Sequence, residues 1–176
     1  TDCNAGNVGS IMGLIAGIEG IDNKWIKPIN DLLLASSSVG SLNIETVSNS
    51  ALRFAKIGAK LNNVEVLGYS DNHYYFDLPY ATHALVAKPY RYADLKLVNV
   101  EKTLNVVIQG FANYKNYITK KTYYRPEDVY DARYEPNFSP LIMCGSEVGF
   151  KLSGSKDITL RIYAKDRDDN CYYGDY

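Results

Sequence analysis

Histidine occurs twice, methionine twice and tryptophan once in this 176-residue chain, and charge is nearly balanced, at 19 basic against 20 acidic side chains. A net charge of -1 gives no electrostatic footprint for nucleic acid or an anionic membrane, so neither is expected as a partner. The 3 cysteines, Cys3, Cys144 and Cys171, show no Cys-x-x-Cys spacing, and His73 and His83 lie far from them in sequence, which argues against structural zinc. A Cys144 to Cys171 disulfide is open to an exported chain, with free buried thiols as the simpler expectation. The longest apolar run, Ile11 to Ile18, is interrupted by Gly13 and Gly17 and followed by Glu19 and Asp22. It falls well short of the roughly 20 residues that span a bilayer. Gly-x-Ser-x-Gly, His-Glu-x-x-His and glycine-rich phosphate loops are all missing, so no independent hydrolase motif of those kinds is present. The compartment stays open, the cytoplasm slightly favoured.

What is present divides near Asn62. From Asn4 to Leu61 the apolar residues follow helical spacing. Beyond that point they alternate, and all 16 tyrosines follow residue 68. The pattern predicts an α+β chain: a helical segment over 1–62, then an antiparallel β-sandwich or jelly roll over 63–176. At 46% hydrophobic, the chain has enough apolar material for a core.

In the first helix Gly9, Gly13 and Gly17 lie four apart on one face, with Val8, Ile11, Met12, Ile15 and Ile18 around the rest. Glycine costs about 1 kcal/mol in a helix interior, so such a face implies close approach of another backbone and a helix buried on nearly all sides, by neighbours that would need more helices than this sequence holds. Ile21 to Asp31 suggests a turn and a short helix reaching about Leu34, with Pro28 in its first turn. Ser36 to Ser41 reads as a loop. Asn43 is a good N-cap for a helix from Ile44 to about Lys60, on which Val47, Ala51, Phe54, Gly58 and Leu61 recur at spacings of three and four. Strands are expected at Val64–Tyr69, Tyr74–Leu78, His83–Ala87, Leu95–Val100, Leu104–Phe111, Glu147–Leu152 and Ile158–Tyr163, and Lys115 to Asn137 as an excursion.

The opening residues carry the chemistry. Asp2-Cys3-Asn4 followed by the Gly9-Ser10-Ile11 helix, then Gly20-Ile21, Trp25, Pro28 and Asp31, resembles the C-terminal part of the ADP-ribosylglycohydrolase family, which includes the dinitrogenase reductase-activating glycohydrolases. In that family an Asp-x-Asp-Thr or Asp-x-Asp-Cys motif immediately precedes a small-residue helix. Asn43 to Ala59 resembles the family's late helix, and the likeness covers about the first third of the chain.

The resemblance implies an all-α body that uses paired magnesium ions to bind the ribose of ADP-ribose and cleave its N- or O-glycosidic bond to a protein or a smaller leaving group. By position Asp2 matches the second aspartate, a metal ligand. Thr1, Cys3 and Asn4 are the neighbouring substrate-binding positions. The first aspartate would precede Thr1, and the other metal ligands and the catalytic acid would come from an N-terminal half outside this sequence, so no catalytic residue is assigned here. Magnesium wants several oxygen donors, which Asp2 alone does not supply, and the Cys3 thiol is a poorer ligand than the threonine of better-known members. Asn4 has a second reading as a helix cap. The β module looks like an accessory sandwich appended to a bacterial glycohydrolase.

Other candidates have plainer readings. Asp166, Asp168 and Asn170 alternate like the opening of a calcium loop, but Cys171 replaces the glycine of its sharp turn, so a polar hairpin turn is expected. Tyr123, Tyr124, Tyr130 and Tyr134, with Lys120, Lys121 and Arg125, suggest either a sugar- or nucleotide-stacking surface or ordinary strand tyrosines. A carbohydrate- or protein-binding β module capped by helices is therefore the alternative function. His73 and His83 read as structural, and Trp25 as a core or interdomain anchor.

Overall fold

A computed structural model describes residues 1–35, 43–65, 68–70, 73–91, 93–109, 115–129, 138–154 and 159–174. These residues contain both helices and antiparallel strands, an α+β composition. The chain divides into two compact units, Thr1–Met143 and Cys144–Tyr176. The change of composition at Asn62 falls inside the first.

Helix α1 covers Asp2–Ala16 and ends at Gly17, whose φ of 62° favours glycine. No residue of α1 is buried, and Leu14 is 87% exposed. The helices expected to cover this one, more than the sequence itself holds, are not found among the described residues. A Cβ built on Gly6, Gly9 or Gly13 meets nothing within 4 Å. Gly13→Ala is accordingly expected to raise the helicity of α1 in this chain, by about 1 kcal/mol in local helix stability, read as stronger circular dichroism at 222 nm.

Helix α2, Asn23–Ile29, is capped by Asp22, whose side chain accepts from the Lys24 N–H at 2.9 Å. Pro28 sits near its end rather than in its first turn, and the helix stops well before Leu34. Asn30 and Asp31 take left-handed φ values of 47° and 58°, a conformation these two residue types tolerate, and they turn Leu32–Leu34 into strand β1. Strand β2, Ile44–Thr46, pairs antiparallel with β1, Leu32 opposite Thr46 and Leu34 opposite Ile44. Helix α3 then spans Val47–Leu61. Its cap is Thr46, whose hydroxyl accepts from the Asn49 N–H at 3.2 Å. The expected cap, Asn43, is instead buried and accepts from the Ser139 N–H at 3.2 Å.

Strand β3, Leu85–Lys88, pairs with β6, Tyr117–Lys120, which occupies part of the expected excursion. Between them, β4, Asp94–Val100, and β5, Thr103–Gln109, form a hairpin. Its two-residue turn, Glu101-Lys102, has φ values of 49° and 65°, the signs a tight primed turn requires. In the second unit β7, Tyr163–Lys165, pairs with β8, Cys171–Tyr173. Four two-stranded ladders thus account for the described strands. Tyr74–Leu78 and Glu147–Leu152, expected as strands, have irregular backbone. Much of the Val64–Tyr69 and Ile158–Tyr163 backbone is also irregular, and residues 66–67 and 158 lie outside the described set, as does the loop 36–41.

The buried apolar core of the described residues is Ile44, Ala81, Ala84, Ala93 and Leu95. It sits beside β2, β3 and β4, which is where the polar cluster described next is built. No helix is long and apolar enough to cross a membrane among the described residues. All three cysteines are free and exposed, which departs from both the disulfide and the buried-thiol expectations.

Candidate functional site

Asp2 lies exposed in the first turn of α1, where a carboxylate is favoured by the helix dipole. Thr1 is the N-cap residue without a side-chain cap bond, and Cys3 and Asn4 are exposed within the helix, so Asn4 is not the cap. The four residues expected at a metal and substrate site are therefore together on one accessible helix end. Among the described residues no group of three or more His, Cys, Asp or Glu side chains could hold a metal ion. A single carboxylate does not fit magnesium's demand for several hard oxygen donors, so these residues by themselves make no magnesium site. Trp25, 65% exposed with the Lys24 ammonium 5.5 Å from its ring centre, is not a core residue of this chain.

The tyrosine surface is partly occupied by its own neighbours. Tyr124 packs near Phe138 and under the Lys121 ammonium, 4.7 Å from the ring. Lys121 and Arg125 both approach Asp128, at 3.0 and 3.7 Å, and Lys120 turns away toward His83. Tyr130 and Tyr134 lie outside the described residues. Asp166 binds its own loop, accepting from the N–H groups of Asp168 and Asn170 at 2.9 Å each and from the Tyr172 hydroxyl at 3.1 Å. That loop joins β7 to β8, the polar hairpin turn expected of it.

The most organised polar constellation is one that sequence reasoning missed. Asp31, held in its left-handed turn, points its carboxylate at the start of α3. It accepts from the Ser48 N–H at 2.8 Å, the Ser48 hydroxyl at 2.6 Å and the His83 N–H at 2.8 Å. Three donors and a helix N-terminus offset the cost of burying the charge, which would otherwise amount to several kcal/mol.

His83 is 0% exposed. Its Nε2 lies 2.6 Å from the Tyr75 carbonyl, which can only accept, so Nε2 carries the hydrogen. The opposite nitrogen, Nδ1, faces the hydroxyls of Thr46 at 3.2 Å and Ser48 at 3.4 Å. Ser48 gives its single proton to Asp31, so of the two hydroxyls only that of Thr46, which also lies 3.3 Å from the Ser48 oxygen, can donate to Nδ1. The rings of Tyr74 and Phe76 enclose the imidazole at 4.7 and 5.1 Å. Lys120 donates to the His83 carbonyl at 2.5 Å and lies 4.7 Å from the Tyr74 ring centre.

Burial, the largest influence, lowers the His83 pKa, and Lys120 adds to it, against raising contributions from the Tyr75 carbonyl, Asp31 and Glu45. Burial also lowers the pKa of Lys120 and, with Glu45, raises that of Tyr74. His83 and Ala84 are themselves left-handed, with φ of 49° and 58°, a conformation costing about 1–2 kcal/mol per residue. Two left-handed turns, 30–31 and 83–84, thus meet across one carboxylate.

Ser, His and Asp together suggest a nucleophile, but the geometry argues otherwise. Ser48 donates to the carboxylate rather than the imidazole, and the serine and histidine are closed off from substrate. The cluster joins elements; it does not attack a bond. Nearby, a shallow depression lined by Arg53, Lys56, Tyr69 and Tyr75 has barely room for a water molecule, and Arg53 is paired with Glu45 at 2.8 Å. The sequence signals of the cluster were ordinary ones: Asn30-Asp31 as a turn and Thr46-x-Ser48 at a helix start.

Comparison with known protein families, with curated proteins and with solved structures found no match.

Proposed function

We propose that the chain contributes part of an ADP-ribosylglycohydrolase-like hydrolase that cleaves an ADP-ribosyl or related N- or O-glycosidic bond with magnesium. One observation carries this reading: Asp2 stands accessible at the head of a glycine-lined helix whose apolar side chains find no partner among the described residues. On this reading α1 packs into a helical body supplied by an N-terminal half of the same protein. The remaining oxygen donors and the catalytic acid come from there, and Asp2 adds one ligand. The exposed Trp25 is then an anchor between the two parts, and the β-rich second half is an accessory sandwich. The substrate is an ADP-ribosylated protein or a small ADP-ribose-like molecule.

The expected result is that the 176-residue chain, incubated with ADP-ribosylated protein and magnesium, releases no ADP-ribose. Joined to an N-terminal half that carries the missing acidic motif, it should do so in a way that Asp2→Ala abolishes. Turnover by the isolated chain would mean that its site is complete without partners. Turnover by the joined protein that ignores Asp2→Ala would remove the metal role from this residue.

A further inference from the structure

We propose that the buried cluster around His83 is an acid-sensitive latch, which fastens the His83 turn and β6 to the β1–β2–α3 frame while the imidazole is neutral and releases them when it gains a proton. The contacts are those of a fastening. His83 gives its N–H to Asp31 in the α2–β1 turn, takes a hydrogen bond from Thr46 at the end of β2, and receives Lys120 of β6 on its carbonyl. Its own Nε2–H closes onto Tyr75. Both ring nitrogens are therefore committed in the neutral form.

A proton on Nδ1 would face the Thr46 hydroxyl, which now donates to it, and would place a cation in a site with 0% exposure. The charged and titratable groups that face the ring are Asp31, 3.8 Å from Nδ1, Glu45 of β2, Lys120 of β6 and the phenol of Tyr74. Asp31 is the nearer of the two carboxylates that favour the cation, and Glu45 adds less. The Asp31 oxygen nearest Nδ1, Oδ2, already accepts from both the Ser48 hydroxyl and the His83 N–H. The left-handed pair His83-Ala84 gives the released segment a reason to open, since opening relaxes its backbone.

The sign follows from burial, which holds the folded His83 below the ordinary histidine value of about 6.5. The latch is at full strength above that value. It weakens as pH falls from 6.5 toward the folded pKa, by about tenfold in the opening equilibrium per pH unit.

Amide hydrogen exchange of the whole chain between pH 7.5 and 5.5, corrected for intrinsic rates, tests this. The His83 and Ser48 amides should show that rise in opening, and His83→Gln should make it flat. In parallel, NMR titration of the His83 imidazole, assigned against a His73→Gln variant, should give a midpoint below 6.5, and this alone decides the matter if His83→Gln does not fold. A midpoint at or above 6.5, or opening that does not change across the range, overturns the proposal.

Discussion

Asp31→Ala should lower the unfolding free energy by roughly 3–5 kcal/mol, measured by urea denaturation at neutral pH, because one deletion leaves three buried donors without an acceptor. The Ser48 N–H, the Ser48 hydroxyl and the His83 N–H all end on this carboxylate. Alanine also tolerates the φ of 58° less well than aspartate does. Asp31→Asn separates the two effects, since asparagine accepts the left-handed backbone and keeps one carbonyl oxygen for the Ser48 N–H. It should cost less, about 2–3 kcal/mol, because its amide group then faces donors rather than accepting from them. An Asp31→Ala variant within about 1 kcal/mol of the parent would show that the cluster does not hold the unit together.

The second large effect is a contrast between two apolar truncations. Leu95 is buried in β4 at 6% exposure, whereas Phe54 on α3 is 74% exposed. Leu95→Ala should cost about 2–4 kcal/mol through lost burial and a cavity. Phe54→Ala, the larger deletion, should change the stability of this chain by no more than about 0.5 kcal/mol. Thermal or urea unfolding of both variants reads the difference directly. If the helices dock into a larger helical body, as proposed, the ranking shifts there: Phe54 becomes costly to remove while Leu95 keeps its value. A costly Phe54→Ala in the present chain would mean that α3 already has a partner here.

These contrasts also show what was legible from residue order. Helix α3 was readable because Val47, Ala51, Phe54, Gly58 and Leu61 keep a helical period, and its start slipped only because β2 uses Ile44–Thr46 first. The β4–β5 ladder was readable from alternation, though its turn carries Glu101-Lys102 instead of a glycine pair. Leu32–Leu34 was misread as helix because three identical residues have no period. The left-handed turn at Asn30-Asp31 decided the matter, and that is a backbone property.

The cluster was illegible for a related reason. Its members come from positions 31, 46, 48, 83 and 120, each of which alone resembles a common cap, turn or surface residue. The opening motif is the reverse case. Asp2, Cys3 and Asn4 were singled out by their resemblance to a family motif, and the fold leaves them accessible at one helix end without adding donors among the described residues.

The fastening at Asp31 has a kinetic corollary. It joins residues 52 apart along the chain, and its serine and histidine are 35 apart, so closing it means shutting long loops whose entropy is lost before any bond is repaid. The α3 helix and the β4–β5 hairpin close short loops and can form early; two of the carboxylate's donors come from Ser48, 17 residues away, and the His83 N–H, 52 away, is the costliest of the three to bring in. Damage there then speeds escape from the native state far more than it slows arrival.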